Sequence, residues 1–212
     1  MSNKNPKHIA VAGNIGVGKT TLVEKLAQHY NWAPRFEAVD NNPYLADFYE
    51  DMKTWSFPLQ IYFLNSRFNH IQDLQKEPDT IIQDRTIYED AHIFAKNLLE
   101  SGHLSERDFD TYFDLFKSMT SMIKPPDLLI YLRASLPKLT SQIAVRGRSY
   151  ENTISLKYLE DLNRHYEEWI ESYNEGPLLI INADPLDYVS RPEDLGHIIN
   201  KIDGELFGLF NV

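Results

Sequence analysis

The chain has 212 residues, 42% apolar and 25% charged, an ordinary composition for one globular domain spanning 1–212 with a sizeable buried core. It contains no cysteine, which excludes a disulfide framework and a thiolate metal site and fits a reduced, cytoplasmic setting. A formal net charge of −10 argues against binding a nucleic-acid polymer, and with no run of about 18 apolar residues no membrane partner is expected.

Residues 1–7 carry no apolar signal segment and lead into an apolar strand at 8–12. A glycine-rich turn follows, then a helix at 19–29, a strand at 34–37, and helices at 43–51 and 57–75. A strand at 80–83 precedes helices at 88–99 and 106–123; Ser105 with Asp108 three residues on reads as the N-cap of the latter. Pro125-Pro126-Asp127 and Gly176-Pro177 punctuate the chain before strands at 128–132 and 178–181. Helices at 136–145, 156–173 and 192–207 complete the pattern. Short, mostly apolar strands alternating with helices predict an α/β fold: a five-stranded parallel sheet covered on both faces. The helices crowded between residues 37 and 128 suit a substrate pocket or a dimer face.

Gly13-Asn14-Ile15-Gly16-Val17-Gly18-Lys19-Thr20 matches the phosphate-loop pattern G-x-x-x-x-G-K-[ST] in full, between a strand and a helix as that pattern requires. Glycines let successive backbone N–H groups turn inward on a polyphosphate, and the helix N-terminus adds positive potential. Lys19 can reach the terminal phosphates, and the Thr20 hydroxyl can ligate Mg2+, with Thr21 beside it at the helix start. The loop alone specifies a nucleotide such as ATP and no more. A guanine-reading N-K-x-D is absent, and the strand at 128–132 runs into Arg133 rather than an acid. A switch GTPase and a motor ATPase therefore fit poorly.

The strand at 80–83 runs into Asp84-Arg85-Thr86. In parallel sheets ligands sit beyond the carboxyl ends of the strands, so these residues share an edge with the phosphate loop. Asp84 could hold the metal and Arg85 could steady the acceptor oxygen or the moving phosphoryl; a strand-end salt bridge is the plainer alternative. Glu37 ends the preceding strand, where a carboxylate can accept the proton of an attacking hydroxyl or simply sit in an ion pair. Arg146-Gly147-Arg148 suits a lid, at about 146–153, closing over phosphates, or a solvated basic loop.

With these motifs in this order, the chain resembles the deoxynucleoside kinase family from about residue 8 to about residue 172. The likeness includes Trp55-Ser56-Phe57, Gln60, and Leu156-Lys157-Tyr158-Leu159-Glu160. It implies a P-loop kinase moving a phosphoryl group from ATP to the 5'-hydroxyl of a deoxynucleoside, most like a bacterial deoxyadenosine kinase and homodimeric through its middle helices. Glu37 would be the general base with Arg85 beside it, and Lys19, Arg146 and Arg148 would act on the phosphates. Tyr49 and Glu151 would bind the sugar 3'-hydroxyl, Gln60 the base edge and Phe94 the base face, with Leu45 and Phe48 as walls. Arg67 and Asp90 would meet at the far edge of the base. Arg67 lies two helical turns after Gln60, and Asp90 one turn before Phe94.

The chemistry suits these types: an aromatic face stacks on a flat π system, and a side-chain amide donates and accepts in one plane. An occupied, charged wall would reject the thymine methyl, placing thymidine last, and the resemblance to bacterial members that favour purines implies deoxyadenosine first. The sequence departs from animal members at Gln142, where an arginine is usual, and from the vertebrate deoxycytidine enzyme of the family at Leu59, where that enzyme has an aromatic. It also has Asp84 in place of a glutamate, and a shorter segment after Glu37. A nucleoside monophosphate kinase, such as a thymidylate kinase, and a non-catalytic nucleotide-binding subunit are the competing readings. Glu37 suits a neutral hydroxyl acceptor better than a phosphorylated one, and binding alone needs no base.

Overall fold

The computed structural model describes residues 8–36, 42–74, 76, 78–147 and 155–208. Five strands form one sheet: β1 (His8–Gly13), β2 (Ala33–Arg35), β3 (Ile81–Asp84), β4 (Leu128–Arg133) and β5 (Leu178–Asn182). Their order is β2-β3-β1-β4-β5, and every pairing is parallel. The expected fold is therefore present.

The side-chain period of two splits β1 between two cores. Ile9 and Val11 face one side with Leu22, Val23 and Leu26 of α1 (Lys19–Tyr30) and Ile198 and Ile202 of α9 (Pro192–Phe207). Ala10 and Ala12 face the other, where Tyr166 and Trp169 of α8 (Leu156–Ser172) pack with the middle helices. These central strand residues are fully buried, which is why the strands read as apolar runs.

The middle of the chain departs from the expected boundaries. Helix α2 (Leu45–Glu50) is followed after one residue by α3 (Met52–Leu74), which begins well before Phe57 and contains Pro58. Proline removes one backbone donor, yet packing of Ser56, Leu59 and Gln60 carries the helix through Pro58. The expected single helix at 88–99 is three pieces: α4 (Ile87–Glu89), a π-helical stretch (Asp90–Ala95) and α5 (Lys96–Glu100). A π turn widens the repeat to i→i+5, and Asp90 and Phe94, four residues apart, both lie within this one widened stretch. Helix α6 (Glu106–Thr120) is shorter than expected, and Ser105 accepts from the Asp108 N–H at 3.1 Å as its cap. Helix α7 (Leu136–Arg146) lies between β4 and the expected lid. Among the described residues no helix is long and apolar enough to cross a membrane.

Candidate active site

The phosphate loop leaves β1 at the carboxyl edge of the sheet, and β3 brings Asp84 beside it, opposite Val11. Two of the loop glycines answer to packing as well as to phosphate. Gly16 has φ 84° and a Cβ there would lie 2.6 Å from Ile143 Cγ1 on α7. Gly18 has φ 100° and a Cβ there would lie 2.3 Å from the Tyr188 hydroxyl, which donates to the Gly18 carbonyl at 3.1 Å. Both conformations lie in the left-handed region that favours glycine.

Lys19 is buried, and its Nζ donates to the carbonyls of Gly13 at 2.7 Å and Asn14 at 3.1 Å. The Asn14 side chain accepts from the loop's own Ile15 N–H at 2.7 Å through Oδ1. Its Nδ2 donates to the Leu159 carbonyl at 3.0 Å and to Asn163 Oδ1 at 2.6 Å, pinning the loop to α8. Ile15, Val17 and Thr21 contribute through the loop and first turn, Val17 as part of the core.

The Thr20 hydroxyl donates to Asp84 Oδ2 at 2.5 Å, and Asp84 Oδ1 is buried without a hydrogen-bond partner among the described residues. A buried, orphaned carboxylate oxygen beside a threonine hydroxyl costs stability unless something fills its lone pairs. Hard oxygen donors at a phosphate loop fit Mg2+, which takes few protein ligands and fills the rest of its octahedron with water and phosphate. Thr20 and Asp84 are the residues that could hold it.

Arg85 is 5% exposed and has φ 69°, a left-handed conformation unusual for a side chain of this size. Its backbone N–H donates to the Val11 carbonyl at 3.0 Å, extending the β1–β3 ladder by one bond. The guanidinium carbon stands 4.5 Å from the Phe94 ring centroid, and Nη1 donates to the Tyr166 hydroxyl at 3.4 Å. One face of Phe94, expected to stack on a base, is thus taken by a cation. Arg67 and Asp90 form the expected ion pair, with side chains 6% and 3% exposed. Gln60 is buried on the same face of α3 as Arg67, and its Oε1 has no hydrogen-bond partner among the described residues. Phe48 is buried on α2, while Leu45 and Tyr49 are half-buried and pack against the same core. Leu59 is buried.

Arg146 is exposed at the end of α7, followed by Gly147 with φ 65°. Gln142, one turn earlier, brings its Oε1 to 3.7 Å from the Cβ position of Gly18, so α7 does overlie the loop. Glu37, Arg148 and Glu151, and with them the body of the expected lid, lie outside the described residues. A cavity of about 230 Å³ between α2, α5 and α8 is lined by Tyr49, Asn97, Tyr158 and Asp161 among others. It shares only Tyr49 with the expected nucleoside contacts and does not itself mark the base site.

The structure adds residues that sequence reasoning missed. Glu89 is fully buried, and its carboxylate accepts from the N–H groups of Gly13 at 3.2 Å and Thr86 at 2.7 Å. It also accepts from the Tyr166 hydroxyl at 2.7 Å. Thr86-x-x-Glu89 is a capping box, legible in principle as a threonine followed three residues later by a glutamate. Tyr158 is another: burial first, then the charge of Tyr49, holds its phenol well above the usual range, and Arg85 opposes the shift. Tyr166 had no signal beyond an amphipathic helix, and Tyr158 stood within the family-like stretch 156–160 without a role assigned to it.

The family model for deoxynucleoside kinases matches residues 9–207. The chain is 40% identical to the deoxyadenosine/deoxycytidine kinase of Bacillus subtilis, over 92% of this chain and 90% of that protein. It is 43% identical to the deoxyadenosine kinase of Dictyostelium discoideum, over 91% of this chain and 77% of that one. The solved structure of M. mycoides deoxyadenosine kinase with bound dATP superposes with a TM-score of 0.82 at 32% identity, covering 93% of this chain and 99% of that one. A full phosphate loop, the Thr20–Asp84 pair, a buried Arg85 and a match across nearly the whole chain lead to one conclusion: the protein belongs to the deoxynucleoside kinase family.

Proposed function

We propose that the protein transfers the γ-phosphoryl group of ATP to the 5'-hydroxyl of a deoxynucleoside, with deoxyadenosine preferred, deoxyguanosine or deoxycytidine next and thymidine last. Glu37 takes the 5'-hydroxyl proton as the oxygen bonds to the γ-phosphorus, and the bond to the β-phosphate oxygen breaks to release ADP. Arg85 and Lys19, with Arg146 and Arg148 from a lid at about 146–153, stabilise the charge on the moving phosphoryl. Mg2+, held by Thr20 and Asp84, would neutralise charge on the β- and γ-phosphate oxygens. Tyr49 and Glu151 hold the sugar 3'-hydroxyl, and Leu45, Phe48 and Phe94 wall the base. The protein acts as one domain, as a cytoplasmic homodimer packed through its middle helices; exposed Leu115 on α6 and Met122 just beyond it support that packing.

The observation that carries the nucleoside assignment is Gln60. Its Oε1 is buried and unpartnered on the face of α3 that also presents Arg67 to Asp90. A buried amide oxygen without a donor costs about 1–3 kcal/mol, and the exocyclic amine of adenine or cytosine supplies that donor. Thymine can also offer a donor, its ring N3–H, so Gln60 does not exclude it; what disfavours thymidine is its methyl, which would meet the Arg67–Asp90 wall. The test is the rate with each of the four deoxynucleosides, and with their monophosphates, in ATP and magnesium. The proposal expects the highest kcat/KM for deoxyadenosine; turnover of monophosphates alone would replace it with a monophosphate kinase.

A further inference from the structure

The buried residues that the proposed reaction leaves unused centre on Glu89. A fully buried carboxylate is costly unless its lone pairs are filled, and here they accept from four donors. Oε2 takes the Thr86 N–H at 2.7 Å and the Thr86 hydroxyl at 3.2 Å. Oε1 takes the Gly13 N–H at 3.2 Å and the Tyr166 hydroxyl at 2.7 Å. The three residues that supply these donors belong to different parts of the machinery. Gly13 opens the phosphate loop, Thr86 follows Arg85 directly, and Tyr166 lies on α8, where its oxygen receives Arg85 Nη1 at 3.4 Å.

Tyr166 has one hydroxyl proton and two acceptors within reach, Glu89 at 2.7 Å and the Gly13 carbonyl at 2.8 Å. The Gly13 carbonyl is also the one that Lys19 Nζ contacts at 2.7 Å. Lys19 and Arg85 are therefore joined through Gly13 and Tyr166, and Glu89 is bonded to both of these. Arg85 needs such support. Its left-handed backbone is a conformation of order 1–3 kcal/mol above the ordinary regions, and it persists only where neighbours over-determine it. The Thr86 N–H bond to Glu89 and the Arg85 N–H bond to Val11 hold the backbone on either side of Arg85 Cα. Phe94 and Tyr166 hold its side chain.

We propose that Glu89 and Tyr166 are positioning residues that fix the Arg85 guanidinium relative to the phosphate loop, so that acceptor and donor phosphate meet in register. The inference rests on the proposed role of Arg85 at the transferring phosphoryl. Catalysis by placement is sensitive: a misplacement of about 1 Å can cost about 10²-fold in rate. Glutamine replaces Glu89 poorly, because whichever way its amide is turned the nitrogen meets a backbone N–H, that of Gly13 on one side or of Thr86 on the other. Tyr166→Phe removes one hydroxyl and leaves Thr86 and Gly13 on the carboxylate.

The test compares Glu89→Gln, Tyr166→Phe, Arg85→Ala and the double variant Glu89→Gln/Arg85→Ala. Each is measured for kcat at saturating ATP and deoxyadenosine, for nucleoside dissociation constant, and for folded fraction by circular dichroism. Glu89→Gln is expected to lower kcat at least tenfold with nucleoside affinity within about threefold, and Tyr166→Phe to shift kcat in the same sense. In the Arg85→Ala background, Glu89→Gln should cost less than about threefold more, because residues acting as a unit are non-additive. Should Glu89→Gln fail to fold, the kcat of Tyr166→Phe decides: an unchanged value overturns the inference. If Arg85→Ala keeps wild-type turnover, the role of Arg85 falls and takes this inference with it. If Arg85→Ala is impaired while the Glu89 effect multiplies undiminished upon it, or falls on nucleoside KM alone, only the positioning role is overturned.

Discussion

The Arg67–Asp90 pair offers a prediction whose size follows from burial. Both side chains are almost wholly removed from solvent, at 6% and 3% exposure. Arg67→Met leaves the Asp90 carboxylate buried without its principal counter-charge, a loss of about 3–5 kcal/mol, out of about 5–15 for a typical chain. For a protein of this length each 1 kcal/mol moves Tm by about 2–4 °C, so the midpoint should fall by roughly 6–20 °C. Arg67→Met with Asp90→Ala removes both charges and leaves a small cavity, and should recover most of that loss, ending within about 2 kcal/mol of wild type. Urea unfolding followed by tryptophan fluorescence supplies the stabilities; with each single variant losing about 3–5 kcal/mol, a double-mutant cycle should return a coupling of about 4 kcal/mol or more. The same double variant, with its wall cleared, should raise thymidine kcat/KM relative to deoxyadenosine by about tenfold. Single variants that unfold like wild type, or a double variant as unstable as the sum of the singles, would refute the buried-charge reasoning. A wild-type protein that phosphorylates thymidine best would sink the specificity argument whatever the stabilities.

Glu37→Gln should leave nucleoside binding largely intact and lower turnover by about 10²-fold or more; near-normal turnover would remove Glu37 from the mechanism. Arg146→Ala and Arg148→Ala should each impair kcat more than nucleoside KM, since a guanidinium matters most where phosphoryl charge develops, and a pure KM effect would refute the lid assignment. His92 lies on the π-helical stretch, 5.5 and 5.7 Å from the rings of Phe116 and Phe113, and burial, with Lys96 secondary, pushes its imidazole down to about 4. The unfolded chain, with an ordinary histidine near 6.5, binds the proton first, so this contribution is complete above about pH 6.5 and is lost as pH falls toward 4. It is worth on the order of 3 kcal/mol at most. His92→Phe should flatten the stability profile between pH 7 and pH 4.5 in urea titrations; equal losses in both proteins would show that His92 titrates as in the unfolded chain.

Several parts of the site were legible because their chemistry is local. The glycines, lysine and threonine of residues 13–20 occupy one strand-to-helix turn, and each backbone demand is met within a few residues of its cause. The apolar runs of β1, β4 and β5 declare a sheet buried on both faces, because burial on both sides removes the polar alternation. Asp84 and Arg85 could be placed at the sheet's ligand edge because strand direction is set by alternation with helices. The meeting of Arg67 with Asp90 was anticipated from helix spacing together with the family likeness, and the ion pair is present.

What escaped sequence reasoning depends on partners far along the chain. Neither the passage of α3 through Pro58 nor the widening of the helix at Asp90–Ala95 follows from propensity, since both are settled by the core that those turns pack into. The β2-β3-β1-β4-β5 order is likewise a choice among ways of covering the same strands. Phe94 looked like a bare aromatic wall and is a platform for Arg85. Glu89 meets Gly13 across 76 residues and Tyr166 across 77. A local pattern registers which groups a short segment needs to satisfy, whereas a buried polar network is completed only when distant segments close around it and exclude water.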